Sequence, residues 1–306
     1  MSMSLIKEPD GVLIINKPSG PTSHDIVNKI RRMYGTKRVG HTGTLDPMAT
    51  GVLVVLVGRA AKAAEYITTD SKKYRATLHL GITTDTEDIT GNITSESSNI
   101  PHSEAVMSVV RKFTGNISQI PPMYSAIKVN GKKLLDLARN GEVIERKPRG
   151  IEIFSIKATP TESIRDYTLD VHCSGGTYIR TLCSDIGNAL GCGGCMKTLC
   201  RNAVGNFDIS SSVTVEHIQG LTDDERMSLL IPTESLFDSL PCITLSPFFE
   251  KLCRSGCEIY QKKIHTHHPI GQRVRIKDEN GVFFAIGEVR EYTDGSAVKA
   301  IKTFVL

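Results

Sequence analysis

No run of eighteen apolar residues occurs in this 306-residue chain, so no segment reads as a membrane span. The opening "MSMSLIKEPDG" lacks the basic and then apolar segments of a secretion signal, which sets the expectation of a cytoplasmic protein. Eight cysteines in such a chain read as reduced thiols and not as a disulfide framework. "CGGC" at 192–195 has the spacing of a metal or redox pair, and Cys253 and Cys257 lie near the "HTHH" of 265–268. No second C-x-x-C stands at zinc-ribbon spacing, and no bound metal is expected. A G-x-x-x-x-G-K-[ST] phosphate cradle and a G-x-S-x-G elbow are both missing. "HSE" at 102–104 mimics H-x-E, but "PCITL" lacks the second cysteine of P-C-x-x-C, which argues against a zinc deaminase. Internal repeats and low-complexity segments are also absent.

What is present is an ordinary globular composition, 40% hydrophobic and 23% charged, with length enough for one large domain and a smaller one. The net charge of +4 is unevenly spread. Residues 1–75 hold twelve Lys and Arg against six Asp and Glu, and residues 128–149 hold seven against three, while acids gather in stretches such as "TDDE" at 222–225. Basic segments of this kind fit a polyanion such as nucleic acid, or equally a solvated lysine-rich surface.

The pattern along the chain is α+β. "GVLIINK" reads as a strand, and Thr22 or Ser23 caps a helix in which Ile26, Ile30 and Met33 recur until Gly35. "KYRATLHLG" alternates, with Tyr74, Ala76, Leu78 and Leu80 on one face. Residues 82–100 read as a loop, and Ser103 as the cap of an amphipathic helix to Gly115. After the strand "YTLDVHCS", Thr177 is expected to cap a helix striped by Ile179, Leu182, Ile186 and Ala189. Pro232 and Pro241 punctuate an expected interdomain linker, followed by the short strands "QRVRIKD", "VFFAIGEVRE" and "AVKAIKTFVL".

One stretch stands out for chemistry. In "GHTGTLDPMATGVL", residues 40–53, a lone carboxylate, Asp46, sits in a glycine-flanked loop at the mouth of an apolar strand. Asp46 precedes Pro47, which pushes its backbone toward extended geometry. The pair also suits the cap and first turn of a short helix. The flanking glycines would let a ligand approach closely, and His41 reads as a contact residue or as a partly buried histidine. Arg180 falls in a first helical turn, where the helix dipole disfavours a cation, so it calls for an anion; pairing with Asp46 would orient the carboxylate. Solvation of Arg180 is the plainer alternative. Tyr74 reads as a core residue or as a platform for a base.

Taken together, "NKPSGPTSHDIV" at 16–27, "RVGHTGTLDPMATGVLVVLVGRAAK" at 38–62, "KYRATLHLGITTDTEDITG" at 73–91, "QIPPMYSAIKVNGKK" at 119–133, "GTYIRTLCSDIGNALG" at 176–191 and "LCRNAVGNF" at 199–207 resemble the TruB family of tRNA pseudouridine synthases. The resemblance covers nearly the whole chain. It implies a pseudouridine synthase fold, with a central mixed, largely antiparallel sheet flanked by helices, and a small β-rich PUA-like C-terminal domain. The implied boundaries are a catalytic domain over 1–240, with an RNA-gripping thumb at about 123–150, and an RNA-binding domain over 241–306. It further implies isomerisation of the uridine at position 55 in the T-arm loop of tRNA, by base flipping and without a cofactor, with a possible aid to tRNA folding. Carried over by residue, Asp46 is the catalytic aspartate, Arg180 its partner and Tyr74 the residue against the base. His41, Tyr178, Leu199, Lys17 and Pro18 are the substrate-binding residues. Partners are expected to be the tRNA T-arm stem-loop alone, with a monomeric protein and no membrane.

The residues leave open whether Asp46 attacks C1′, attacks C6 or takes the C2′ proton. Three positions depart from the family pattern: Leu135 where tyrosine is common, Gly175 in place of a lysine and Cys200 in place of an arginine. Two other readings stand beside this one, a guide-RNA-dependent synthase and a non-catalytic tRNA-binding protein.

Overall fold

The computed structural model describes residues 8–67, 71–125, 127–129 and 131–304, with Lys128, Lys133 and Arg139 described by backbone alone. Positions 126 and 130 of the expected thumb and the last two residues of the final expected strand lie outside the described residues.

The chain opens with β1 (Gly11–Lys17) and α1 (Ser23–Met33). Thr22 caps α1 in a full capping box with Asp25, and the chain leaves the helix through Gly35 at φ +61°. β2 (Val39–His41) and β3 (Thr50–Val57) flank the glycine-rich loop. β4 (Lys72–Leu80) buries Tyr74, Ala76, Leu78 and Leu80 as its alternation requires. Residues 82–100 are more than a loop, because β5 (Ile82–Thr84) pairs with β6 (Ile93–Glu96). β6 is exposed along its whole length, so no apolar alternation marks it in sequence.

α2 (Ser103–Arg111) is capped by position His102, not Ser103, and no side chain closes that end. β7 (Gly115–Gln119) leads to a small lobe of β8 (Lys128–Val129), β9 (Lys132–Lys133) and α3 (Leu134–Arg139), gathered on Met123, Leu134 and Leu137. The long strands β10 (Arg149–Pro160) and β11 (Asp166–Cys173) follow, then α4 (Ile179–Ala189). Thr177 does not cap α4: its hydroxyl donates to the Ser174 carbonyl at 3.0 Å, and Tyr178 holds the cap position without a side-chain bond. The buried stripe runs through Ile179, Leu182, Cys183 and Ile186, with Ala189 exposed. β12 (Gly194–Val204), β13 (Phe207–Asp208) and the short helices α5 (Val215–Gln219) and α6 (Asp223–Ser228) complete this part.

The central sheet has the order β1-β3-β12-β4-β11-β10-β7, with β2 beside β3 and β13 beside β12. Its pairings are antiparallel except for the parallel contact of β12 with β3. That makes it mixed and largely antiparallel, in an α+β fold. β3 lies inside the sheet and is covered on both faces: Val52, Val54 and Leu56 enter one core cluster, and Leu53, Val55 and Val57 another. Burial on both sides explains why the strand is a continuous apolar run. At Gly51, φ is +98° and a Cβ would stand 2.3 Å from the Arg201 carbonyl, so only glycine lets β12 approach here.

The second sheet has the order β14-β16-β17-β18-β15, formed by β14 (Cys242–Thr244), β15 (Ile259–Tyr260), β16 (Arg273–Lys277), β17 (Phe283–Tyr292) and β18 (Gly295–Thr303). α7 (Pro247–Arg254), not anticipated above, contributes Cys253 and Phe249 to this sheet's core. Phe237, Phe283 and Phe304 meet with ring centroids 5.4–5.9 Å apart, and join a cluster shared with Val12, Val54 and Leu56. The stretch between Pro232 and Pro241 is therefore no free linker. Phe237 is buried, and Ile231 exchanges backbone hydrogen bonds with Val12 at 2.8 and 2.9 Å.

Candidate active site

Asp46 lies in the loop between β2 and β3, and three separate elements fix that loop's backbone. At the end of β1, the wholly buried Lys17 donates its Nζ to the carbonyls of Pro18, Pro47 and Ala49 at 2.9, 3.0 and 2.7 Å. Those acceptors match the three protons of an ammonium. Burial pulls the Lys17 pKa down to about 8, with Asp46 opposing the shift and Arg201 adding to it. At the start of α1, the Ser23 hydroxyl accepts from Leu45 N at 2.9 Å and donates to Leu45 O at 3.0 Å. From β12, the sealed Arg201 donates Nε to Val52 O at 2.8 Å, Nη2 to Gly43 O at 3.0 Å and Nη1 to Thr44 O at 3.3 Å.

These anchors close a turn, and not the short helix that Asp46–Pro47 also permitted. Ala49 N donates to Asp46 O at 3.0 Å, and the Asp46 side chain takes Arg180 in place of a capping role. Arg180 Nε stands 2.9 Å from Oδ2, and Nη2 donates to Oδ1 at 3.3 Å. Two parallel contacts of a fork on a carboxylate fix orientation as well as charge. The remaining donors of Arg180 are used too, Nη1 on Thr86 O at 3.0 Å and Nη2 on Tyr124 O at 2.8 Å. Asp88 Oδ2 lies 3.9 Å from Nη1 and adds negative charge to the first turn of α4. Asp88 is itself held by Thr86 and Thr90, whose hydroxyls donate to Oδ1 at 2.9 and 2.6 Å. The pair is lopsided, since the Arg180 side chain is 6% exposed and the Asp46 side chain 33%. The carboxylate faces solvent from a buried clamp.

The other expected residues arrange themselves around this pair to different degrees. Tyr74, on β4, is buried next to Arg201; burial pushes its phenol pKa up, and Arg201 partly offsets the shift. Tyr178 begins α4 with its backbone clasped by Gln119, at 3.0 Å to Oε1 and 3.2 Å from Nε2. Its phenol is also raised by burial, and the neighbouring Ser125 partly offsets the shift. Lys17, Tyr74 and Tyr178 all lie within electrostatic reach of Asp46. Leu199 is buried on β12 opposite Ala76, and Pro18 supplies a carbonyl to Lys17. His41 ends β2 with Nδ1 buried and unpartnered, and burial, then Arg201, holds its pKa below the ordinary value. No contact joins Leu199, Pro18 or His41 side chains to Asp46 among the described interactions.

Arg201, Asp88 and Gln119 were not singled out from the sequence, and Ser23 only as an alternative helix cap. A signal existed for Arg201, a charge in a strand whose inward positions are otherwise apolar. For Gln119 and Ser23 nothing in residue type distinguishes a buried clamp from a surface polar group. Cys192 and Cys195 are buried free thiols, and among the described residues no group of three or more His, Cys, Asp or Glu is placed to bind a metal.

Comparison with known proteins bears on this arrangement. Residues 31–179 match the TruB family pseudouridylate synthase N-terminal domain, and residues 180–238 the tRNA pseudouridylate synthase B C-terminal domain. The chain is similar to tRNA pseudouridine synthase B of Alkaliphilus oremlandii, 42% identical over 92% of this chain and 93% of that protein. It is 40% identical to the protein of that name from Clostridium kluyveri, over 97% of this chain and 100% of the relative. Among solved structures, a Cbf5-Nop10-Gar1 complex contains a chain that matches with a TM-score of 0.75 at 26% identity, over 97% of this chain and 85% of that one.

Proposed function

The chain belongs to the TruB family of pseudouridylate synthases, isomerases that form pseudouridine in tRNA, and on that premise we propose that its target is the uridine at position 55 in the T-arm loop and that Asp46 is the catalytic carboxylate. The observation that carries this reading is the lopsided ion pair, a solvent-facing carboxylate on a buried arginine. Such a group is oriented by its arginine and open to a nucleotide, and a carboxylate can attack carbon and leave again without a cofactor. The reaction breaks the bond from ribose C1′ to N1 of uracil, turns the base and joins C1′ to C5, which gives up its proton while N1 takes one up. The uridine reaches Asp46 only by leaving the loop stack.

In this scheme Arg180 holds Asp46, and the Tyr74 ring lies against the base. Lys17 and Pro18 form the floor by fixing the Asp46 turn, Tyr178 and Leu199 close around the nucleotide, and His41 meets the displaced loop bases. The lobe at about 123–150 acts as a thumb on the RNA. The sheet after residue 241 acts as a PUA-like holder beside the catalytic domain of residues 1–240. The protein works as a cytoplasmic monomer, without guide RNA or protein partner.

Tritium release from tRNA carrying [5-³H]uridine tests the reading, with no other macromolecule added. Wild-type protein is expected to release tritium from position 55, and Asp46→Asn to bind the tRNA without releasing it. Release by Asp46→Asn at the wild-type rate removes the catalytic assignment. A wild type that binds every tRNA offered and releases from none is a binding protein.

A further inference from the structure

Away from the Asp46 loop, unneutralised charge concentrates on α1. The helix buries Ile26, Val27 and Ile30, and its outer face forms a groove of about 580 Å³ lined by Asp25, Asn28, Lys29, Arg31 and Arg32. Three cations there face one carboxylate: Asp25 Oδ2 accepts from the Thr22 backbone N–H at 2.8 Å and from its hydroxyl at 2.7 Å, and its charge is felt by Lys29 alone of the three. Among the described residues, Lys29, Arg31 and Arg32 take part in no ion pair.

Arg31 is also pre-organised. Its Nη1 donates to Asn28 Oδ1 at 3.0 Å and its Nη2 to the Val39 carbonyl at 3.1 Å, while Nε is buried without an acceptor. All its partners are neutral, so its full charge remains in the groove. The Asn28 amide nitrogen adds a donor, because its oxygen is the atom bonded to Arg31. Position matters as much as charge. The first residue of α1, Ser23, is bonded to Leu45, and Arg31 is bonded to Val39, which opens the strand that ends at His41, so the helix that carries the groove is tied to the loop that carries Asp46.

We infer that this groove holds the phosphate backbone of tRNA outside the loop that enters the active site. The inference rests on the reading of the chain as an enzyme of folded tRNA, and extends it to a second contact surface. Three cations on one helix face, with no aromatic residue lining the groove, suit a row of phosphates and not bases. Such contacts position an RNA without reading its sequence. Lys29 and Arg32, unpaired and near solvent, supply the charge that releases counterions; Arg31 sets the register.

The test compares Lys29→Gln/Arg32→Gln with wild type on full-length unmodified tRNA and on an isolated T-arm stem-loop, with affinity measured across a KCl series. Arg31 stays, because it ties α1 to β2. On full-length tRNA the slope of log affinity against log salt is expected to flatten by about one to two, since each phosphate contact contributes roughly 0.7–0.9. Affinity at moderate salt should fall about tenfold. Turnover of saturating stem-loop, together with an unchanged thermal midpoint, should match wild type and shows the fold intact. An unchanged slope and affinity on full-length tRNA overturns the inference, as does an equal loss on both RNAs. Loss of binding to phosphatidylglycerol vesicles with tRNA binding intact overturns it in favour of a membrane contact. A wild type that shows the salt effect but makes no pseudouridine sinks the enzymatic reading and leaves this surface standing.

Discussion

In the central sheet, Lys17 and Arg201 are sealed from solvent and donate to backbone carbonyls of the Asp46 loop. In the C-terminal sheet, Arg275, Lys277, Arg290 and Lys302 pair with the carboxylates of Glu234, Glu288 and Glu65 at or near the surface. The same side chains thus do different things. A surface pair exchanges with water on equal terms and contributes little. A buried cation that satisfies three carbonyls dictates where a backbone runs, and its removal leaves those carbonyls unpaired in a dry interior. The active-site loop is shaped by the second kind, which is why Asp46 can face solvent without itself holding the loop together.

Four measurements sharpen or break that contrast. Asp46→Asn leaves every buried anchor in place, so it should cut pseudouridine formation by about a thousandfold or more while urea unfolding stays near wild type. A matching fall in stability would mean that the carboxylate is structural. Arg201→Met removes a clamp on Val52, Gly43 and Thr44, and should cost about 3 kcal/mol or more in urea unfolding, because each stranded buried carbonyl costs about 1–3 kcal/mol. Turnover should fall too, well below the melting range, and Arg201→Lys should recover only part, lacking the fork. A stable, fully active Arg201→Met would show the clamp to be dispensable.

Lys17 gives a pH test. Its folded-state value of about 8 lies below the ordinary 10.5, so between those pH values the unfolded chain binds more protons than the folded one. Lys17 therefore makes stability rise with pH across that window. Turnover should do the opposite, falling through about pH 8 as the ammonium loses a donor to the Pro18, Pro47 and Ala49 carbonyls. A basic limb unmoved in Lys17→Arg would assign it elsewhere. The smallest effect is reserved for Lys302→Ala, which removes the surface pair with Glu65 and should leave the urea midpoint within error. A clear loss there would erase the distinction between the two sheets.

Much of the architecture was legible. The alternation of β4, the capping box of α1 and the two-sided apolar run of β3 each follow from a local rule that the tertiary structure obeys. Misreadings fell where local rules allow several outcomes. Thr177 looked like a cap, yet its hydroxyl turned to Ser174; Ser103 became the first helical residue; and the segment between the prolines at 232 and 241 is packed, with Phe237 in a cluster with Val12. β6 carries no apolar face to detect, whereas α7 was missed although Ser246 and Pro247 mark a helix start and Phe249, Leu252 and Cys253 share one face.

At the site the division is the same. By itself the sequence biased the Asp46 backbone toward extended geometry in a glycine-flanked stretch and set Arg180 in a first helical turn where an anion is favoured, because those demands arise within a few residues. Its motifs also determined the family. Only the tertiary structure decided that Arg180 reaches Asp46 across 134 positions, and that Lys17, Ser23 and Arg201 converge on the carbonyls of one loop. Every residue carries a carbonyl, so nothing in residue identity marks which ones will be left for a buried cation to claim.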